Sequence, residues 1–195
     1  MTRVRVALLI SALLLALASS LYASQSPAHV FIALQAAQGT SPAVKALIDA
    51  APEAYLAGAA GPDTAYTSNY VRVGLGGTPP GTESHELKTG KLTVNMLNLA
   101  KTPQEKAFAL GWLSHWETDN IIHALVNKYG GLYTVDAKHH KCLEMTECEH
   151  VFSRYVGATV GSEYIPQAAV TPRVFINSAY AATRPPSTSM CCWIM

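Results

Sequence analysis

The stretch that decides the fold is Gly111-Trp-Leu-Ser-His115-Trp-Glu-Thr-Asp119-Asn-Ile-Ile-His123. On an α-helix, residues four and eight positions apart are displaced by only about 40° and 80° around the axis, so His115, Asp119 and His123 share one face. The other residues of the stretch are largely apolar, which predicts a buried helix. Two imidazoles and a carboxylate on the inner face of such a helix are unfavourable unless something satisfies them, and a divalent metal does so. The stretch therefore predicts a helix that carries a metal site.

Both ends of this helix are marked in the sequence. The segment Thr102-Pro103-Gln104-Glu105 has the pattern of a capping box, in which Thr102 caps the helix, Pro103 takes the first helical position and Glu105 reaches back. The pair Gly130-Gly131 is typical of a helix end. We therefore expect the helix to run from Pro103 to about Lys128.

Further helices are predicted on both sides of this central helix. The first begins near Pro27, with His29 close to its start. The others are Ala43–Ala50, which follows the cap Ser41, then Pro52–Ala60, Thr89–Leu99 and a second long helix over about Lys138–Val156. Gly61-Pro62-Asp63 interrupts the pattern, so Asp63 is expected at a helix end or in a loop. The segment from Thr64 to Thr82 predicts a surface loop that leads to His85, with a strand at Tyr70–Val73 as the alternative.

Length and composition narrow the possible classes of protein. A chain of 195 residues with 49% hydrophobic residues is long enough for one domain with a sizeable core. The formal net charge is +1 and 14% of the residues are charged. This balance gives neither the basic excess of a nucleic-acid groove nor an acidic tail, so a nucleic-acid partner is not favoured. No stable protein partner is implied either.

The first residues, 1–23, predict an export signal. Arg3 and Arg5 precede an apolar run from Val6 to Ala18, and small residues follow, with cleavage expected after Ala18 or after Ala23. An uncleaved membrane anchor is the alternative, but the run is shorter than the roughly 20 residues that a spanning helix needs. The sequence therefore favours an exported protein, secreted or periplasmic, with a cleaved signal.

Four cysteines do not predict a disulfide framework. Cys142 and Cys148 are six residues apart on one predicted helix, beyond the reach of a bridge. From Gly157 the helical period fades, and Pro185-Pro186 with serine and threonine follows, so residues 158–195 are expected to form an irregular or partly disordered tail. This ending also leads to the expectation that the chain is truncated at its C-terminus.

Nitrogen and oxygen donors recur along the predicted helices and beside them. The candidate metal ligands are His29, Asp63, His85, His115, Asp119, His123, His140 and Glu144. A donor set without thiolates suits catalytic zinc better than a closed structural site. The set exceeds what one tetrahedral ion uses, and two or three ions that share a bridging carboxylate would account for it. Clustered ions suit hydrolysis of phosphate esters, because one activates water while others neutralise oxyanion charge.

Some of these residues also have a purely structural interpretation. Asp63 could organise a turn beside glycine and proline, His29 could stabilise a helix start, and Glu144 could belong to a solvated acidic face. The His115, Asp119 and His123 set is harder to explain in this way, since three inward polar groups must be explained together. The pair His140 and Glu144, one turn apart on one helix, strengthens the interpretation as a metal site.

These residues together resemble a known family. Asp63 after a proline, His85, the run Ala109-Leu-Gly-Trp-Leu-Ser-His115-Trp-Glu-Thr-Asp119-Asn with His123, and His140-x-x-x-Glu144 resemble the zinc-dependent phospholipase C family. The resemblance covers about His29 to Glu149, and its middle motif is the specific part. It implies a phospholipase C-like helical domain over residues 24–157.

The resemblance implies a fold and a reaction. The expected fold is all-α, a single-domain helical bundle with a metal cluster of two or three zinc ions between the helices. The expected reaction is hydrolysis of a phospholipid at a membrane surface, on the glycerol side of the phosphate, giving diacylglycerol and a phosphorylated head group. The resemblance also implies that Asp63 is a general base.

The resemblance further implies how the ligands are divided. Asp119 would bridge two ions, one held by Asp63, His85 and His115 and the other by His123, His140 and Glu144. Secreted family members hold a third ion with the amino group of an N-terminal tryptophan, which neither expected cleavage point leaves here, so the role of His29 stays open. The four-residue spacing from Asp119 to His123 is also closer than in those enzymes, although it fits one continuous helix.

Two other functions are compatible with the sequence. Single-strand-specific zinc nucleases are related to this family, but they resemble His-x-x-x-Asp where this chain has His140-x-x-x-Glu144. The lack of basic patches also argues against nucleic acid. A metal-stabilised helical protein without catalytic activity is the third interpretation.

Overall fold

The computed structural model describes residues 26–67, 85, 89–151, 154 and 173–183. The predicted signal peptide, the loop or strand over most of residues 64–82, and most of the predicted 158–195 tail lie outside these residues.

The described residues form helices and contain no strand. In chain order the helices are α1 (Ser26–Gln38), α2 (Pro42–Asp49), α3 (Pro52–Thr67), α4 (Thr89–Leu99), α5 (Pro103–Gly130), α6 (Ala137–Val151) and α7 (Arg173–Thr183). The all-α class predicted from the sequence is therefore confirmed. The long helix α5 is central, since α1, α2, α3, α4 and α6 all contact it.

The ends of α5 follow the predicted pattern. The amide of Glu105 donates to Thr102 Oγ1 at 3.1 Å, and the amide of Thr102 donates to Glu105 Oε2 at 2.9 Å. These reciprocal bonds satisfy amides that the first turn leaves free. At the other end Gly131 has a φ of 80°, a conformation that favours glycine, and the helix stops at Gly130. The predicted capping box and glycine end are both confirmed.

Helices α3 and α5 approach so closely that glycine is required on each. A Cβ added at Gly58 of α3 would lie 2.1 Å from the carbonyl oxygen of Phe108, and one at Gly111 of α5 would lie 1.9 Å from the carbonyl oxygen of Tyr55. Both clashes are with backbone, which cannot rotate away as a side chain can. This close approach brings the buried faces of α3 and α5 together beside the polar residues of α5.

We expect Gly111→Ala to destabilise the protein by about 1–3 kcal/mol or more, since the helices must separate to admit one methyl group. Urea denaturation followed by circular dichroism measures the change. Gly39→Ala is a suitable control, because the nearest atom to a Cβ there lies 3.7 Å away. Equal free energies of unfolding for Gly111→Ala and the original chain would show that the close approach is wrong.

An apolar core lies between α4, α5 and α7. The ring of Phe108 lies 5.9 Å from that of Trp112 and 6.5 Å from that of Phe175, measured between centroids. Asn95 of α4 also donates a hydrogen bond to Thr183 of α7 at 2.9 Å. Helix α7 is therefore an integral part of the core.

Two predictions about local structure were wrong. Asp63 lies inside α3, which continues through Pro62 to Thr67. Proline usually ends a helix, but Pro62 and Asp63 are both buried, and packing against α5 outweighs the lost backbone bond. The prediction that 158–195 is irregular fails for Arg173–Thr183, because burial of Phe175 against α5 stabilises a helix there.

One smaller prediction can be compared with the described residues. Cys142 and Cys148 lie on α6 and are not joined by a disulfide, as their spacing indicates; Cys142 is exposed and Cys148 is buried. In the described ranges, no helix combines the length and the apolar character that crossing a membrane requires.

Candidate metal centre

The fold brings all eight predicted ligands to one region between the helices. Helix α1 supplies His29, α3 supplies Asp63, α5 supplies His115, Asp119 and His123, α6 supplies His140 and Glu144, and His85 joins them from between α3 and α4. Their donor atoms form three overlapping or adjacent groups, each with its atoms within 4.8 Å of one another. The groups are His29 with His115 and Asp119, Asp63 with His85 and His115, and His123 with His140 and Glu144.

Asp119 is the centre of the first part of the cluster. Its Oδ1 lies 3.3 Å from His29 Nε2, and its Oδ2 lies 3.3 Å from His115 Nε2. Oδ2 is also 3.8 Å from His85 Nε2, whereas Oδ1 is 4.0 Å from His123 Nε2. The two oxygens of this carboxylate thus face different imidazoles.

Asp63 faces the same imidazoles from α3. Its Oδ1 lies 3.4 Å from His85 Nε2 and 3.9 Å from His115 Nε2, and its Oδ2 lies 4.0 Å from His29 Nε2. Only 9% of the Asp63 side chain is exposed, against 18% of the Asp119 side chain. Two carboxylates therefore enclose the Nε2 atoms of three histidines in a nearly buried space.

The second part of the cluster joins α5 to α6. Oε1 of Glu144 lies 3.0 Å from His123 Nε2 and 3.1 Å from His140 Nε2. His140 is buried, while His123 is the most exposed of the histidines in the cluster, with 34% of its side chain accessible. One carboxylate oxygen between two imidazole nitrogens gives a compact set of three donors.

Backbone carbonyls fix the orientation of two of these histidines. Nδ1 of His115 donates to the carbonyl oxygen of Ala59 at 2.7 Å, and Nδ1 of His140 donates to the carbonyl oxygen of Gly131 at 2.7 Å. A carbonyl can only accept, so the proton of each neutral ring is on Nδ1 and the lone pair is on Nε2. This tautomer and this kind of partner are typical of histidines that bind metals.

The charges of the cluster are strongly coupled. Burial lowers the pKa of His115, but Asp119 and Asp63 more than compensate and raise that pKa to about 9. Burial works to raise the pKa of both carboxyls, yet the neighbouring imidazoles hold that of Asp63 at about 2 and that of Asp119 well below its usual range. Burial and the positive charge of His115 lower the pKa of His29 to about 4. Both carboxylates are therefore ionised at neutral pH, which suits cation binding.

Neighbouring charges also shift pKa values in the group of His123, His140 and Glu144. A hydrogen bond with Glu144 raises the pKa of His123 above its ordinary value, against the effect of burial. On the next turn of α6, burial and the charge of Glu144 raise the pKa of Glu147. Glu144 thus faces the cluster rather than a fully solvated surface, and Glu147 lies half-buried near it.

The arrangement of nitrogen atoms fits a bound cation. Nε2 of His115 and Nε2 of His85 approach to 3.2 Å, and the rings of His29 and His115 stack with centroids 3.7 Å apart. Lone pairs that converge on each other repel unless a proton or a metal ion lies between them. Nδ1 of His29 is moreover buried and has no hydrogen-bond partner among the described residues. These donors fit zinc, which takes imidazole nitrogen and carboxylate oxygen readily.

A cavity of about 350 Å³ opens beside the cluster. His85, His115, Asp119 and His123 form part of its lining, and the rest includes Thr89, Trp116, Asn120 and Asn127. A substrate held in this cavity would contact the cluster directly.

The sequence did not reveal several parts of this site. The carbonyls of Ala59 and Gly131 carry no signal in their residue types, because any residue offers a carbonyl. Asn120 and Asn127, in contrast, are seven residues apart on the helix of the predicted ligands, a spacing that places both on one face. That spacing could have identified them as residues of the cavity.

The comparisons with known proteins agree with these observations. Residues 28–166 match the family model described as zinc dependent phospholipase C. An uncharacterized protein of Archaeoglobus fulgidus is 41% identical over 69 residues, which cover 35% of this chain and 21% of the relative. The match thus spans about a fifth of that relative's length, and no solved structure matches. The family match covers more than half of the chain and includes all eight convergent side chains, so the chain belongs to the zinc dependent phospholipase C family.

Proposed function

We propose that this protein is an exported zinc-dependent phosphodiesterase that hydrolyses phospholipid head groups at a membrane surface, in the manner of a phospholipase C. The observation that carries the proposal is the convergence of Asp63 and Asp119 on the Nε2 atoms of three histidines. Family membership supports the same reaction, and it supports export as well. The expected signal in residues 1–23, cleaved on export, agrees with an extracellular or periplasmic location.

The eight side chains are proposed to hold two or three zinc ions. Asp63, His85 and His115 would hold one, and His123, His140 and Glu144 another. The distances favour a different bridge from the one that the resemblance implies, because Asp119 lies 3.3 Å from both His29 and His115 and 4.0 Å from His123. We therefore propose that Asp119 connects the His115 side to the His29 side, where a third ion would bind.

The side chains would then have distinct tasks in catalysis. Zinc bound here would activate water and neutralise charge on the phosphate. Asp63 is proposed as the general base that takes a proton from the attacking water, since its carboxylate is ionised and nearly buried beside His85. The carbonyls of Ala59 and Gly131 would keep His115 and His140 in the orientation that presents Nε2 to the cluster.

The test is product analysis on phospholipid vesicles. Purified protein without the expected signal would be incubated with vesicles that contain phosphatidylcholine and phosphatidylinositol, with zinc and after chelation. We expect diacylglycerol and phosphorylated head groups only with zinc. Phosphatidic acid as the product, or no hydrolysis by folded protein loaded with zinc, would contradict the proposal. Release of nucleotides from single-stranded DNA in place of lipid hydrolysis would instead indicate a nuclease.

Zinc binding should release protons in a way that depends on pH. In metal-free protein the pKa of His115 is about 9, so this ring is protonated at pH 7.5 and must lose its proton to bind zinc. Asp63 is already ionised and His29 already neutral there, so neither contributes. We expect at least about one proton released per chain at pH 7.5, and tighter apparent zinc binding as the pH rises towards 9.

Titration calorimetry in buffers of different ionisation enthalpy measures this release. The exposed His150 provides a control, because His150→Gln should not change the number of protons released on zinc binding. Zinc binding without proton release at pH 7.5 would show that His115 is neutral in the metal-free protein or does not bind the ion.

A further inference from the structure

The cavity beside the cluster has a second wall, formed by residues outside the three candidate metal-binding groups. On α5, Trp116, Asn120 and Asn127 follow at intervals of four and seven residues, so they share one face of the helix. That face is rotated by about 80° from the face of the predicted ligands on the same helix. A phosphodiester held at the cluster would therefore extend one of its substituents along these three side chains.

The ring of Trp116 is a fixed platform in this wall. It is half-buried and packs on α4, where a Cβ added at Gly90 would lie 3.2 Å from Cζ2 of the indole. Its position against the helix backbone limits its rotation. Indole faces in such positions stack on apolar faces of ring-shaped ligands.

The two amides of this wall are available for a ligand. Asn120 and Asn127 are exposed, and in the part of the chain that the structure describes neither side chain makes a hydrogen bond to another residue. Each amide offers two donor hydrogens and an acceptor oxygen. Such a pair suits a ligand with several hydroxyl groups, each of which donates and accepts.

The charge of the described lining argues against an ionic head group. Among the described residues of the lining there is no lysine or arginine, and the one acidic side chain among them is Asp119, which belongs to the proposed metal site. A quaternary ammonium group needs an aromatic cage or a counter-charge. Of the two tryptophans in the described lining, Trp112 is buried, so such a group would face the zinc ions with the half-buried indole of Trp116 beside it. An anionic head group would lack a basic partner.

We propose that this wall recognises an uncharged, polyhydroxylated head group, such as inositol or glycerol, with Asn120 and Asn127 hydrogen-bonding its hydroxyls and Trp116 covering its ring or carbon chain. This inference rests on the proposed phospholipase C activity. It names the class of substrate that the same site prefers.

The experiment compares short-chain lipids below their micelle concentration, so that surface charge does not affect access. The zinc-loaded protein would receive dihexanoyl phosphatidylinositol, dihexanoyl phosphatidylglycerol or dihexanoyl phosphatidylcholine, and kcat/KM would be measured for each. Bis(p-nitrophenyl) phosphate, which has no such head group, reports general phosphodiesterase activity. We expect kcat/KM for the inositol lipid to exceed that for the choline lipid at least about tenfold.

Substitutions in this wall of the cavity test whether it causes the head-group preference. Asn120→Leu and Asn127→Leu keep the branched shape of the side chain but remove the amide, and each should lower the ratio of inositol to choline kcat/KM at least about fivefold, mainly through KM. Asn98→Leu is the matched control, since Asn98 is an exposed asparagine on α4 outside the cavity, and it should leave the ratio unchanged. Trp116→Ala should lower the ratio as well.

The outcomes separate this inference from the function on which it rests. Equal or faster hydrolysis of the choline lipid, with active protein, would overturn the inference and leave the phospholipase C activity in place. Unchanged ratios in both leucine variants would also overturn it. Hydrolysis of bis(p-nitrophenyl) phosphate without hydrolysis of any lipid, or faster hydrolysis of single-stranded DNA, would overturn both.

Discussion

Asp119→Asn should lose zinc and turnover together. The carboxylate faces His29 with one oxygen and His115 with the other, each at 3.3 Å, so an amide would remove a negative charge shared by two binding positions. Replacing partners in the outer shell of a metal typically weakens binding 10–100-fold, and loss of a direct ligand should exceed that. We expect at least one zinc ion per chain to be lost and kcat to fall more than about 10³-fold.

Glu117→Gln is the matched control for this substitution. Glu117 lies two residues before Asp119 on α5, is exposed, and loses the same charge without facing the cluster. Elemental analysis and hydrolysis of bis(p-nitrophenyl) phosphate would be measured on both variants. An Asp119→Asn protein that keeps its zinc and its rate would show that the bridging role is wrong.

Removal of metal should also destabilise the fold. Asp63 and Asp119 lie nearly buried with three histidines, and without a cation protonated imidazoles must balance their charges. A ligand present at about 1,000 times its Kd stabilises a protein by about 4 kcal/mol. For a chain of this size that corresponds to a fall in Tm of about 10 °C on chelation.

Differential scanning calorimetry with and without chelator would measure the change, and zinc should restore both Tm and turnover. Magnesium serves as the control, since a site rich in imidazole binds it poorly. The same Tm before and after chelation would mean that the cluster does not contribute to stability through a bound ion.

Local signals in the sequence predicted most of the helices. Thr102 and Glu105 cap α5 through bonds between neighbouring residues, and Gly131 ends it through its own φ. Such features depend on a few adjacent residues, so the sequence displays them directly. The candidate ligands on α5 were predicted in the same way, from their spacing on one helix.

Features that depend on distant packing were not predicted. Pro62 and Asp63 continue α3 because they are buried against α5, whose position no local pattern reveals. Helix α7 forms because Phe175 packs on Phe108, a residue far away in the sequence. In both cases tertiary burial outweighs local propensity.

The candidate site was likewise predicted only in part, because its residues are visible in the sequence and their arrangement is not. The sequence supplied all eight donor residues, partly through the resemblance, but it could not place them relative to one another. The contact of Asp119 with His29 joins α5 to α1, and it suggests a different bridge from the one the resemblance implies. The sequence also gave no sign that the carbonyl of Ala59 orients His115.

The most direct test of the central claim is the number of zinc ions bound per chain, measured by elemental analysis of purified, folded protein after removal of loosely bound metal. Eight donors in three groups lead us to expect two or three ions. The Asp119→Asn variant should bind fewer. A protein that binds one ion, or none, would contradict the clustered zinc site.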